Sequence, residues 1–250
     1  MRDPSEEVRQ SALALVGDLA KAGCHHHLTP ALPSYMPVLV ENLDARHARS
    51  LAVVNNASWA VGELAARMGG EALAPFVGAI MGKLEPVVQR HREENPAILE
   101  NVAITLGRLA KACPQGVVAA LGGPTATAAA AGFLRDWCLC LQDVKHRGEK
   151  EHAFEGLCML IQQAPAALTG GGAGGGFCKD TFEAFGWAIA SWYDPEAGAP
   201  DVPAQLQGML RVILHYARDC VVREQHRDWN EVLSSLDPHL VQYFVHFYDL

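Results

Sequence analysis

VVNNASWAVGELAARM, residues 53–68, decides the fold of this chain, because it reads as a helix with one side chain out of place. Ala57, Val61, Leu64 and Met68 recur at i, i+4, i+7 and i+11, the apolar stripe of a helix packed against a neighbour. Trp59 misses that stripe. At about 100° per residue it points nearly opposite to the apolar face, with Asn55 and Glu63 one turn to either side and Asn56 at i−3. A tryptophan among amide and carboxylate groups reads in one of two ways: it contacts a partner, or a further helix or a chain terminus covers it.

The same helix is written three times. Gly17, Gly62 and Gly107 stand 45 residues apart, in the contexts ALVGDLAKA, WAVGELAAR and ITLGRLAKA. Aligned on the glycines, Ala12, Ala57 and Val102 stack as one core position, as do Val16, Val61 and Leu106, and Leu19, Leu64 and Leu109. The off-stripe position holds Ala14, Trp59 and Ile104. A repeat of about 40 to 47 residues built from helix pairs is the signature of an all-α solenoid of HEAT or armadillo type, with antiparallel helix pairs stacked in a right-handed superhelix. Stacking puts equivalent positions in register, so Trp59 and Ile104 are expected as neighbours on one surface. Asp18 and Glu63 occupy homologous positions on that surface, and Glu100 and Asn101 precede Ile104 by one turn.

Working outward, the chain reads as one array of such pairs over residues 1–250. A first inner helix runs from about residue 4 to 22, with Asp3 as the expected N-cap and Pro4 at N1. Outer helices are expected at 28–43, 72–90, 133–144 and 177–193, and inner helices at 50–68, 96–112, 149–163 and 202–222. Two Ala/Gly-rich insertions, 122–132 and 170–176, are expected to loop out. The second formally spells GxGxxG at Gly170, Gly172 and Gly175, but it follows a helix rather than a strand and reads as linker. Residues 228–250 carry Tyr243, Phe244, Phe247 and Tyr248, an aromatic cap for the end of the stack. No strand pattern is visible.

Composition narrows the function classes. The chain has 250 residues, half of them apolar, with a formal net charge of −8. An acidic balance argues against nucleic acid as the main ligand and suits a basic peptide partner. The seven cysteines form no CxxC pair, which fits reduced thiols inside the cell. No apolar run approaches the 18 or so residues of a membrane span. The consecutive His25, His26 and His27 diverge at a helix exit and make a poor metal site. No nucleophile, base or paired-carboxylate arrangement has a meaningful local spacing, so neither an enzyme nor a cofactor is expected.

EVRQSALALVGDLAKA (7–22), YMPVLVENL (35–43), VVNNASWAVGELA (53–65), LENVAITLGRLAKACPQ (99–115) and FLRDWCLCLQDV (133–144) resemble, in order and spacing, the C-terminal repeats of the transportins, nuclear import receptors of the karyopherin-β family. The resemblance implies a receptor whose inner helices bind extended proline-tyrosine type nuclear localisation signals of cargo proteins on a concave face. It puts Trp59 and Ile104 against the upstream hydrophobic or basic part of the signal, with Asn55, Glu63, Glu100, Asn101 and Asp18 as neighbours. It also implies Ran-GTP and nucleoporins as partners of the full-length receptor, and shuttling between cytoplasm and nucleus. The Ran-binding repeats, the acidic loop and the proline-tyrosine subsite of that family have no counterpart here, so a piece of a longer receptor is expected, with a half-length relative as the alternative. A stack beginning at the 4–22 helix is expected to leave Val8, Ala12, Leu15, Val16 and Leu19 uncovered and prone to self-association. The alternative function is a scaffold that binds a folded partner, with Trp59 as a folding contact.

Overall fold

The computed structural model describes residues 1–44, 50–123, 127–170 and 176–250, so Gly172 and Gly175 lie outside the described residues. In chain order the helices are α1 (Glu6–Lys21), α2 (His25–Leu28), α3 (Leu32–Glu41), α4 (Leu51–Arg67), α5 (Gly70–Gln89), α6 (Pro96–Ala112), α7 (Pro114–Ala120), α8 (Thr127–Leu141), α9 (Arg147–Gln163), α10 (Ala166–Thr169), α11 (Lys179–Ala190), α12 (Ala204–Asp219), α13 (Trp229–Ser235) and α14 (Pro238–Tyr248). They stack in two layers. The inner row is α1, α4, α6, α9 and α12, each packed on the next; the outer row runs α3, α5, α7 with α8, α11 and α14. This is the all-α solenoid that the 45-residue period implies.

The local signals explain where the helices begin. Asn95 caps α6 by accepting from the Ala97 N–H at 2.9 Å, with Pro96 in the first turn, where its missing N–H costs nothing. Asp237 and Pro238 open α14 in the same way. At α1 the cap is Ser5, whose hydroxyl accepts from the Val8 N–H; Asp3, the expected cap, lies two residues earlier and instead accepts from the Ser5 N–H.

The expected core is present. Ala57, Val61, Leu64 and Met68 are buried, as are Phe133, Leu134, Trp137, Leu141 and Val144 on the outer helix, and Phe244 and Tyr248 at the closing end. Three places differ. The second half of the Ala-rich 122–132 segment is helical, because α8 starts at Thr127 and buries Ala130 and Ala131. A two-residue antiparallel ribbon, β1 (Tyr193–Asp194) with β2 (Ala199–Pro200), closes the turn between α11 and α12 around Gly198, whose φ is +65°. Helix α1 buries Leu13, Gly17 and Ala20 against α4, whereas Val8 and Leu15 are exposed.

The three repeat glycines mark close approaches between neighbouring inner helices. A Cβ on Gly62 would meet Thr105 Oγ1 at 2.6 Å, and one on Gly107 would meet the Ala153 backbone at 2.3 Å. At Gly17 the space is taken by the Trp59 indole, with three ring atoms between 2.2 and 2.9 Å from the virtual Cβ. Position 17 therefore has no side chain because a tryptophan lies on it.

Candidate functional site

Helix α4 buries every residue from Ala57 to Ala65 except Trp59, and its partly open stripe is Ala52, Asn55, Asn56 and Trp59. The corresponding stripe of α6 begins with Ala97, Glu100 and Asn101. These stripes are joined by amides. Asn101 Nδ2 donates to Asn55 Oδ1 at 2.7 Å, and Asn56 Nδ2 donates to the Gln10 carbonyl oxygen at 3.2 Å. Glu100 Oε1 accepts from the Lys145 N–H at 3.0 Å, tying α6 to the chain two residues before α9. Asn55 and Asn101 each keep amide groups with no partner among the described residues. A primary amide offers both a donor and an acceptor, which is what the backbone of an extended peptide needs.

Trp59 is half-buried. The outer edge of its six-membered ring lies on Gly17, and Lys21 Nζ stands 6.0 Å from the ring centroid. The covering helix of the second reading is present, since α1 lies on the indole, and part of the side chain remains exposed. Ile104, at the equivalent position of α6, is only 3% exposed. The pair is thus not an open apolar ladder; Ile104 contributes to the packing beneath the amides.

Glu63 is 2% exposed and is bound to Arg108, with Oε1 and Nη1 2.9 Å apart; Arg108 Nη2 reaches Glu149 at 3.6 Å. Its carboxylate is committed inside the stack, while Asp18 is exposed. Arg108 was not among the residues singled out by sequence, although the 45-residue register names it. The position after each repeat glycine reads Asp18, Glu63, Arg108, so the third repeat supplies the base that the second repeat's acid needs.

Below this ion pair the C-terminal ends of α1, α4 and α6 and the start of α9 surround a hollow of about 630 Å³. Lys21, Arg67, Lys111 and His152 line it together with Glu63, Arg108, Glu149 and Glu151. Lys111 is paired with Glu155. Burial, together with the charges of Lys111 and Arg108, holds His152 below the usual imidazole value. Among the described residues no group of three His, Cys, Asp or Glu side chains is placed to hold a metal ion, and no helix is long and apolar enough to cross a membrane.

Two layers of stacked helix pairs, with amides and a half-buried tryptophan along the inner row, define a helical-repeat protein. No family model matches the sequence. Transportin-1 of Homo sapiens and Transportin-1 of Mus musculus are each 35% identical to it over 231 residues, covering 92% of this chain and 22% of theirs. Transportin-1 of Oryza sativa subsp. japonica is 32% identical over 96% of this chain and 24% of that protein. The chain is a homologue of the transportins, and it spans less than a quarter of the length of these relatives. Among solved structures, a designed armadillo repeat protein in complex with the peptide (KR)4 is similar over 99% of this chain and 95% of its own, with a TM-score of 0.48 and 17% identity.

Proposed function

We propose that this chain is a segment of a nuclear import receptor that binds the extended, hydrophobic or basic part of a proline-tyrosine type localisation signal along its inner helix row. The observation that carries the reading is the Asn101–Asn55 amide pair, with Asn55 on the same part-open stripe as the half-buried Trp59. The amides fix the peptide backbone, and the indole takes an apolar or cationic side chain. Asp18 and Glu100 add negative charge along the same row, whereas Glu63 and Ile104 act from beneath by holding α4 and α6 together. Ran-GTP and nucleoporins as further partners, and shuttling between cytoplasm and nucleus, belong to the same proposal and concern the whole receptor.

The burial of Ile104 and Glu63 favours a second reading, in which the row is a scaffold and a folded protein docks elsewhere on it. The double variant Asn55→Ala/Asn101→Ala separates the two. Calorimetric titration with a synthetic signal peptide is expected to show affinity reduced about tenfold, the loss of one to two well-placed hydrogen bonds. Unchanged affinity in a folded double variant would leave the scaffold reading standing.

A further inference from the structure

At the far end of the stack a second hollow, of about 550 Å³, lies between α11, the β1–β2 ribbon and α14. Its walls are aromatic: Trp187 comes from α11, Tyr193 from the ribbon, and Tyr243 and Phe247 from α14. Trp187 is 37% and Tyr193 44% exposed, so these large rings are available to a guest. The rings are inclined rather than stacked. Tyr193 and Phe247 have centroids 6.1 Å apart at 53°, and Tyr243 and Phe247 are 5.0 Å apart at 56°. The Tyr243 hydroxyl, by donating to the Ile189 carbonyl oxygen at 3.3 Å, anchors this wall to α11.

Inclined rings around an open centre present several π-faces to one guest, and a π-face attracts a cation. Elsewhere the chain sets its own cations over aromatic rings: Lys21 over Trp59, Lys150 over Trp192 and Arg211 over Tyr248. His239, Gln242 and His246 complete the polar part of its lining, and no lysine or arginine lines it among the described residues. The turn between its lining residues Tyr193 and Gly198 carries Asp194 and Glu196, and the whole chain has a formal net charge of −8. Ring faces within and carboxylates on the adjoining turn favour a positive group over a neutral one of the same shape. We propose that this hollow docks a lysine or arginine side chain of a basic partner segment, at a place separate from the inner row.

Charge-neutral isosteres test this. The chain carrying Trp59→Ala, which removes the inner-row indole, is titrated with an arginine-glycine octapeptide and with its citrulline counterpart, and again with Tyr193→Leu added. The arginine peptide is expected to bind at least about fivefold more tightly than the citrulline peptide, and Tyr193→Leu is expected to remove about that factor at an unchanged melting temperature. Equal binding of the two peptides would overturn the proposal, as would a Tyr193→Leu protein that binds the arginine peptide undiminished. A phenylalanine-glycine octapeptide that displaces the arginine peptide from the hollow would also overturn it, assigning the hollow to an apolar guest.

Discussion

Asp18, Glu63 and Arg108 hold the same place in three successive helices, yet only the last two meet as an ion pair, because a base arrives only from α6. Removing one partner of a buried pair strands the other charge. Glu63→Gln is therefore expected to lower the unfolding free energy by about 3 kcal/mol in urea titration, Glu149 being too far from Arg108 to replace it fully. Asp18→Asn, on an exposed residue, is expected to stay within about 0.5 kcal/mol; similar losses for both would show that the pair does not hold the row. Lys150 is a further buried charge. It lies 5.2 Å from the Trp192 ring centroid and donates to the Ser191 carbonyl oxygen at 3.0 Å, and burial lowers its pKa from 10.5 to about 8. Between those values the folded state binds fewer protons than the unfolded one, so the penalty of this lysine is full below pH 8 and is relieved as pH rises toward 10.5. The stability of the natural chain relative to Lys150→Met is expected to rise by about 3 kcal/mol across that window, and a flat difference would contradict this. At this scale the sequence was legible in part. A helical wheel says that Trp59, Ile104 and Glu63 leave the apolar stripe of their own helices. It does not say what the neighbouring helix brings to meet them, which is Gly17 beneath Trp59 and Arg108 beside Glu63.

The helices themselves were legible because the first three inner ones repeat the same text at 45-residue intervals, and because stripes such as Phe133, Leu134, Trp137 and Leu141 leave no ambiguity of face. Composition misled where small residues are concerned. Alanines 128–131 read as part of a loop-out segment, but alanine is the best helix former, and α8 extends through them. The ribbon at 193–200 is too short to carry any period. The repeat glycines give the sharpest test of how the elements are spaced. In Gly107→Ala the new methyl group would face the backbone of Ala153, which cannot rotate away, so α6 and α9 must separate at a cost of about 1–3 kcal/mol. In Gly17→Ala it would face the outer edge of the Trp59 ring, a side chain that can shift. Thermal melts are expected to place Gly107→Ala well below Gly17→Ala; the reverse order would mean that the glycines do not set the spacing of the row.

Across the whole molecule, the face of α1 that does not meet α4 carries Val8 and Leu15, 49% and 57% exposed, with Ala12, Val16 and Leu19 half-buried beside them. The 250-residue chain is expected to self-associate at micromolar concentration through this face. Light scattering should show the association weakened in Val8→Lys/Leu15→Lys, and a monodisperse natural chain would contradict the expectation. In the proposed function the inner row takes an extended signal and the half-buried tryptophan contributes to its grip. Its most direct test is a titration of the upstream hydrophobic or basic segment of a proline-tyrosine type signal against Trp59→Ala and Leu64→Ala, with melts of both. Trp59→Ala is expected to lose about 2 kcal/mol of binding, roughly thirtyfold in affinity, with a small fall in melting temperature. Leu64→Ala, a core cavity, is expected to lose about 2–5 kcal/mol of stability while the folded fraction binds as before. A Trp59→Ala protein that melts far below the natural chain but binds the peptide unchanged would make Trp59 a folding contact and remove the peptide from this face.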